Sequence, residues 1–263
     1  PYIVWMVVFT LIPLGVVGYY ALTDPATGAF TLANIRNLNM YWGVLWQSIL
    51  YSLISAFICL LLGYPVAYYI AHCRATTQKI LYMLVMLPMC MSFLLRTLAW
   101  VGLLQDMGII NNILVALGFD RVRMIRTPGA VVLGMVYNYL PFMILPIYSV
   151  IVKLDHSLLE AARDLGANSV GVFRKVILPL SLPGVLSGIT MVFVPSVSTF
   201  AISKMLGGGT ELMLGDLIEQ QFLGGAYNPH LGAAISMVMM VVVVVCMVVM
   251  NRFGEGEEQA VML

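Results

Sequence analysis

Six stretches of this 263-residue chain stay apolar for about 20 residues at a time, the length of helix that crosses a hydrocarbon core roughly 30 Å thick. They run approximately from Tyr2 to Leu22, Trp46 to Ala71, Ile80 to Leu104, Ala130 to Val152, Val185 to Met205 and Leu231 to Met250. The expected fold class is therefore an all-α integral membrane protein with six transmembrane helices. A soluble fold is excluded by the surface it would need: 61% of the residues are hydrophobic and 10% charged, against about 25% charged in an ordinary soluble domain. The first stretch is too long for the apolar part of a signal peptide and has no convincing small-residue cleavage site, so it is read as a retained span. A chain opening on Pro1 is expected to have lost its initiator and a short leader.

Charge narrows the function classes. A net charge of +1 leaves no basic surface for nucleic acid. Cys59, Cys73, Cys90 and Cys246 lie in or beside apolar runs without CxxC or Cys/His spacing, which points to small buried hydrophobes, with no metal, disulfide framework or cofactor expected. His72, His156 and His230 flank different spans, so a catalytic constellation at the bilayer has no support. Arg96 is the one charge well inside a span. At a helix centre it costs about 2.5–3.5 kcal/mol on insertion scales, and it must face protein or water or snorkel to an interface.

The loops after spans two and four carry Arg74, Lys79, Lys153, Arg163, Arg174 and Lys175, with Arg252 at the tail; the other side holds Arg36, Arg121, Arg123, Arg126 and Lys204. This small bias puts both termini in the cytoplasm. Pro65, Pro88, Pro141, Pro146 and Pro195 interrupt the spans, either as tolerated kinks or as an irregular wall around a pathway. Gly184 and Gly188 have the spacing that lets two helices approach closely.

Between spans four and five lies a polar, patterned stretch from Lys153 to Gly166. Ser157 and Glu160 have capping-box spacing, so a helix is expected to start there. Leu158, Ala161, Ala162 and Leu165 are expected on one face, and Gly166 where the chain turns left-handed to stop. Val172, Phe173, Val176 and Ile177 make a second stripe, expected to end at Pro179 and Pro183 before span five. The pattern is a helix-turn-helix on the membrane face, which by itself reads as an interfacial pair that merely connects two spans.

The run Glu160-Ala161-Ala162, then Gly166, Phe173, Ile177-Leu178-Pro179 and Pro183-Gly184 resembles the EAA motif of permease subunits of type I ABC importers. The resemblance implies one transmembrane permease domain over 1–263 with a cytoplasmic coupling loop over 153–183, docked on an ATP-binding subunit. It assigns the coupling contact to Glu160, Ala161, Ala162, Asp164 and Gly166, supported by Phe173, Pro179 and Pro183. It implies as partners two copies of the ATP-binding subunit, a second related permease chain and an extracytoplasmic solute-binding protein. The chain has no G-x-x-x-x-G-K-[ST] loop of its own, so it is not expected to be an enzyme, and work must arrive through that contact.

Further stretches resemble the polyamine branch of that family, whose members take spermidine and putrescine: Leu62-Gly63-Tyr64-Pro65, Leu94-Leu95-Arg96, Leu140-Pro141-Phe142-Met143, Pro146-Ile147-Tyr148, and Gly215 with Ile218, Gln221 and Phe222. Ammonium groups on methylenes are escorted by aromatic faces and carboxylates. Candidate pathway residues are Tyr137, Asn138, Tyr139 and Tyr148, with Asp216 and Glu219 outside span six; packing for the tyrosines and a solvated loop for the carboxylates are the alternatives. Arg96 suits a gate or a salt bridge with Asp106. Gly108 to Phe119 reads as an amphipathic helix, either a platform for a binding protein or a plain interfacial element. A permease for iron, sulfate or a phosphonate remains the competitor within the class. An ion-coupled secondary transporter, the rival outside it, would be expected to show mid-membrane carboxylate relays.

Overall fold

The computed structural model describes residues 2–24, 28–225 and 227–261; Pro1 lies outside them. Six segments within it are long and apolar enough to cross a bilayer: Val4–Leu22, Ala33–Ala71, Phe93–Ala116, Pro128–Ile151, Ser169–Ser198 and Pro229–Met250. The helices of the fold are α1 (Val4–Leu22), α2 (Trp42–Ala71), α3 (Ala75–Met86), α4 (Phe93–Leu104), α5 (Ile109–Ala116), α6 (Pro128–Ile151), α7 (His156–Asp164), α8 (Ser169–Ser198), α9 (Ala201–Leu206), α10 (Leu214–Leu223) and α11 (Pro229–Val261), of which α3, α7, α9 and α10 lie outside the six segments. Among the described residues no strand forms beyond one isolated bridge between Thr23 and Phe30.

Helices α2, α6 and α8 pack against one another as the central trio, while α1 lies on α11 at the side. Gly184 and Gly188 explain how closely α8 meets α6. A Cβ on Gly184 would stand 3.0 Å from the Pro146 carbonyl oxygen and 3.2 Å from the Ile147 Cα; one on Gly188 would stand 2.8 Å from the Met143 sulfur. Without a side chain, backbone meets backbone, which is how helices gain dispersion contact in lipid. Along α2, Ser48, Ser52 and Ser55 share the buried face. Ser48 and Ser52 donate to the carbonyls of Val44 and Ser48, four residues back, so their burial leaves no donor unpaired.

The prolines sort by what surrounds them. Pro65, Pro141, Pro146, Pro183 and Pro195 sit inside continuous helices of the trio, where packing on several sides holds the helix despite the lost hydrogen bond. Pro88 breaks its segment. The expected single helix over Ile80 to Leu104 is instead α3, a 3₁₀ turn at Leu87–Cys90, extended residues at Met91 and Ser92, and then α4. None of the residues of α3 is buried, so no neighbour enforces continuity.

Span five is displaced from its expected bounds. Helix α8 begins at Ser169 and ends at Ser198, the chain turns extended at Thr199, and α9 follows as a separate piece. Pro179 and Pro183 therefore do not terminate the loop's second helix; that helix runs straight into the span. Pro179 has a local effect nonetheless. A π turn at Phe173–Ile177 ends two residues before it, with the Leu178 N–H bonded to the Phe173 carbonyl. The same device appears at Val7–Leu11, two residues before Pro13. Widening the turn by one residue relieves the clash of the proline ring with the carbonyl four residues back.

Candidate functional site

The loop helix α7 starts two residues before its expected start. Asp155 is extended at φ −69°, ψ 124° and its carboxylate accepts from the Ser157 N–H at 2.9 Å, which makes it the N-cap. Ser157 is then already inside the first turn, so the Ser157/Glu160 capping box does not form. The C-terminal signal behaves as expected. Gly166 has φ +83°, and the Ala167 N–H closes back on the Ala162 carbonyl at 3.1 Å while Gly166 bonds Arg163 at 2.8 Å. A Cβ at Gly166 would meet nothing; glycine is there for its backbone conformation alone. Asn168 then caps α8, its Oδ1 accepting from the Gly171 N–H at 2.8 Å.

Of the four residues expected on one face of α7, three stay together and Ala162 turns away from them. Leu159 and Ala162 turn inward and join Val172, Ile177, Phe173 and Tyr68 in a small apolar cluster. Leu158, Ala161 and Leu165, spaced i, i+3, i+7, stay outward, with Leu158 at 48% and Leu165 at 89% exposure. Glu160, Arg163 and Asp164 are exposed beside them. Phe173 ties this end to the trio: its ring stands edge-on to Tyr64 at 5.8 Å and to Tyr68 at 5.5 Å, and the Tyr64 hydroxyl shares a 2.8 Å hydrogen bond with Ser181. Helix α7 is thereby packed against α2 and the start of α8.

A second polar zone lies at the other end of α8, where the helix breaks. Tyr139 donates to the Pro195 carbonyl at 3.4 Å and lies within hydrogen-bonding range of the Thr199 side chain and electrostatic reach of Arg96. Arg96 is 8% exposed, yet its Nε and Nη1 have no hydrogen-bond partner among the described residues. Asn138, on α6 beside Tyr139, donates to the Gly134 carbonyl at 2.9 Å and to the Thr97 hydroxyl at 3.5 Å; its Oδ1 is likewise buried without a partner. The expected Arg96–Asp106 salt bridge is not formed. The one ion pair among the described residues is Lys204–Glu219 at 2.7 Å, and Asp106 instead lines a surface hollow with Arg123 and Arg126.

The other expected pathway residues disperse. Tyr137 is edge-on to Trp100 at 5.4 Å, whereas Tyr148 packs on Tyr82 at 5.4 Å in a groove edged by Lys79 and Lys153. Asp216 and Glu219 are not in a solvated loop but on α10. Asp216 is 4% exposed and accepts from the Met213 N–H at 2.8 Å, so it caps its helix. Burial pushes its carboxyl above the ordinary range, against bonds from Ser203 and the Met213 backbone that pull the other way.

The helical trio, the broken segments and the loop helix together match known transporters. Residues 62–255 match the model of the family described as binding-protein-dependent transport system inner membrane component. The chain is 38% identical to the spermidine/putrescine transport system permease protein PotB of Haemophilus influenzae over 94% of its own length and 90% of that protein's. It is also 38% identical to PotB of Escherichia coli K12, with 90% of each chain covered. This chain belongs to that family. It is a multi-pass inner-membrane permease subunit of an ABC importer.

Among solved structures, this permease superposes on a bacterial ABC transporter involved in import of the acidic polysaccharide alginate with a TM-score of 0.82 at 18% identity, covering 97% of this chain and 92% of that one. The inward-facing MetNI methionine ABC transporter gives a TM-score of 0.65 at 20% identity, over 83% and 98%. Both likenesses concern the fold. Two features of the permease escaped the sequence reading. The Asp155 and Asn168 caps were detectable, since Asp and Asn are favoured N-cap residues. Glu211 was not: its carboxylate accepts from Gln47 and from Tyr51, both at 2.7 Å, across more than 150 residues of sequence.

Proposed function

We propose that this permease moves a polyamine, spermidine or putrescine, across the inner membrane by alternating access driven by a partner ATPase. The relatives that carry this reading are the PotB proteins, 38% identical over nine-tenths of the chain or more. Loop residues 153–183 are the coupling element and lie in the cytoplasm together with both termini. The outward stripe Leu158, Ala161 and Leu165 supports this: it is apolar, lies on a helix capped at both ends, and is flanked by Glu160, Arg163 and Asp164. A nucleotide-binding subunit gripping that stripe pulls α7 and the start of α8, and the Phe173 ring passes the displacement to Tyr64 and Tyr68 of α2. Two ATP-binding subunits need two such levers, so a second permease chain completes the complex, and an extracytoplasmic binding protein delivers the solute. Hydrolysis belongs to the partner.

An anionic solute, such as sulfate or a phosphonate, is the second reading. The buried Arg96 guanidinium with two unpaired nitrogens favours it, since a missing acceptor there would be supplied by an anion. The deciding experiment uses the purified complex in lipid, with its binding protein, testing spermidine, putrescine, ferric ion and sulfate for stimulation of ATPase. Stimulation by the amines alone is expected; stimulation by sulfate alone would replace the polyamine reading by the second.

A further inference from the structure

The donor and acceptor inventory around Glu211 is unequal in a way that selects a ligand. Gln47 and Tyr51 lie one turn apart on α2. The Gln47 amide nitrogen donates to Glu211 Oε2 at 2.7 Å and to the Tyr51 hydroxyl at 3.0 Å, and the Tyr51 hydroxyl donates to the same Oε2 at 2.7 Å. An amide against a carboxylate must present its nitrogen, so the assignment of that side chain follows from chemistry. Both amide hydrogens and the phenolic hydrogen are thereby used. What remains is acceptor only: Glu211 Oε1 and Gln47 Oε1 take no hydrogen bond from the described residues. No Lys, Arg or His among them lies within ion-pair distance of Glu211, so its negative charge is also unanswered.

The position suits a ligand arriving from outside the chain. Gln47, Tyr51 and Glu211 are each only partly buried, and the segment carrying Glu211 is pinned to α2 by the neighbouring bond from the Leu214 N–H to the Ser48 hydroxyl at 2.8 Å. The acceptors are held without being sealed. An anion would be repelled and a neutral acceptor would find no donor; a primary ammonium brings three donors and a positive charge.

We propose that Glu211, with Gln47 and Tyr51, is a binding subsite for one terminal ammonium group of the transported amine. Glu211 supplies the counter-charge, Gln47 a second acceptor, and the Tyr51 hydroxyl holds the carboxylate in place. This deepens the polyamine reading and rests on it. Arg96 makes no ion pair with Glu211 and takes no part in this subsite.

The test uses the complete complex in nanodiscs. Equilibrium binding of radiolabelled spermidine is measured without the binding protein, and uptake with it in proteoliposomes, for wild type, Glu211→Gln and Glu211→Asp. Glu211→Gln keeps an oxygen for both protein donors and removes only the charge, so a purely structural tie would survive it. The expected result is a loss of spermidine affinity of roughly ten- to a hundredfold, the scale of one charge-assisted hydrogen bond, largely restored in Glu211→Asp. As a check that needs no variant, saturating spermidine should protect Glu211 of the wild-type complex from carbodiimide labelling read by mass spectrometry. Wild-type affinity in Glu211→Gln, or labelling indifferent to spermidine, overturns the subsite while leaving polyamine transport standing. A wild-type complex that neither binds nor imports spermidine overturns the functional reading itself, and this subsite with it.

Discussion

The two ends of α8 are built on different principles. At its start, around α7, the caps and the turn are local: Asp155 caps Ser157 two residues on, Gly166 turns the chain, and Asn168 caps Gly171 three residues on, with Phe173 reaching across to α2. At its finish, contacts join distant parts of the chain: Tyr139 to Pro195 and Thr199, Asn138 to Thr97, Glu211 to Gln47 and Tyr51. The first end also satisfies its polar groups, whereas the second leaves Arg96 and Asn138 with unpaired buried atoms. A self-sufficient end is suited to be gripped as a unit; an end with open valences is suited to rearrange or to receive something.

The contrast depends on α8 transmitting between its ends, and the severest way to break it is at Gly188. Gly188→Leu would drive a side chain into the Met143 sulfur and backbone, where even a Cβ stands at 2.8–3.4 Å. Overpacking of this kind costs about 1–3 kcal/mol or more, and here backbone must shift. The expected outcome is loss of assembled permease in detergent, seen by size exclusion, with Gly15→Leu, a site with open space around it, assembling normally.

Next in size is a change confined to the self-sufficient end. Gly166→Pro fixes φ near −65° where the chain needs +83°. The permease should insert and assemble, while transport in vesicles and solute-stimulated ATPase fall to background. Gly166→Ala asks only for the left-handed backbone strain, about 1–2 kcal/mol, with no clash, and should retain partial coupling. Wild-type coupling in Gly166→Pro would sink the coupling role given to α7.

How much of this was legible in the sequence follows the same division. The spans could be read because apolar runs of the right length need no tertiary information, and Gly166 because a helix stop is a local event. The capping box failed by a small margin: Asp155, Ser157 and Glu160 are all plausible caps, and only the backbone shows which comes first. Pro88 and Pro141 are indistinguishable as letters; one breaks its helix and the other does not because α6 is enclosed and α3 is not. Asp216 read as a loop carboxylate because nothing in its neighbours announces α10, and the Glu211 contacts span 160 and 164 residues.

A subtler probe addresses the open end. Arg96→Met removes a buried guanidinium whose Nε and Nη1 bond nothing among the described residues, and a buried charge so poorly paired is a net cost to the fold. Thermal stability of the purified permease should therefore stay level or rise by a few degrees, while transport drops severalfold. A clear fall in melting temperature would instead mean that Arg96 is a structural group, and the open end would lose its claim to be poised for rearrangement.

The smallest expected effect concerns Asp216, and it asks whether burial at the open end is paid in stability. Its folded pKa is raised above the ordinary value by desolvation, so between the unfolded pKa and the higher folded one the native state holds the extra proton. Stability from this group is then greatest below the unfolded pKa, declines as pH rises through that window, and stays at its lower level above it. Asp216→Asn keeps an oxygen for the Met213 N–H but carries no charge to bury. Melting curves from pH 4 to 8 should show the variant equal to or slightly more stable than wild type at the neutral end, with the gap closing toward the acid end. A variant that is markedly less stable at neutral pH would show that the ionised carboxylate is satisfied where it sits, by Ser203 and the backbone, and that the open end is better compensated than its unpaired atoms suggest.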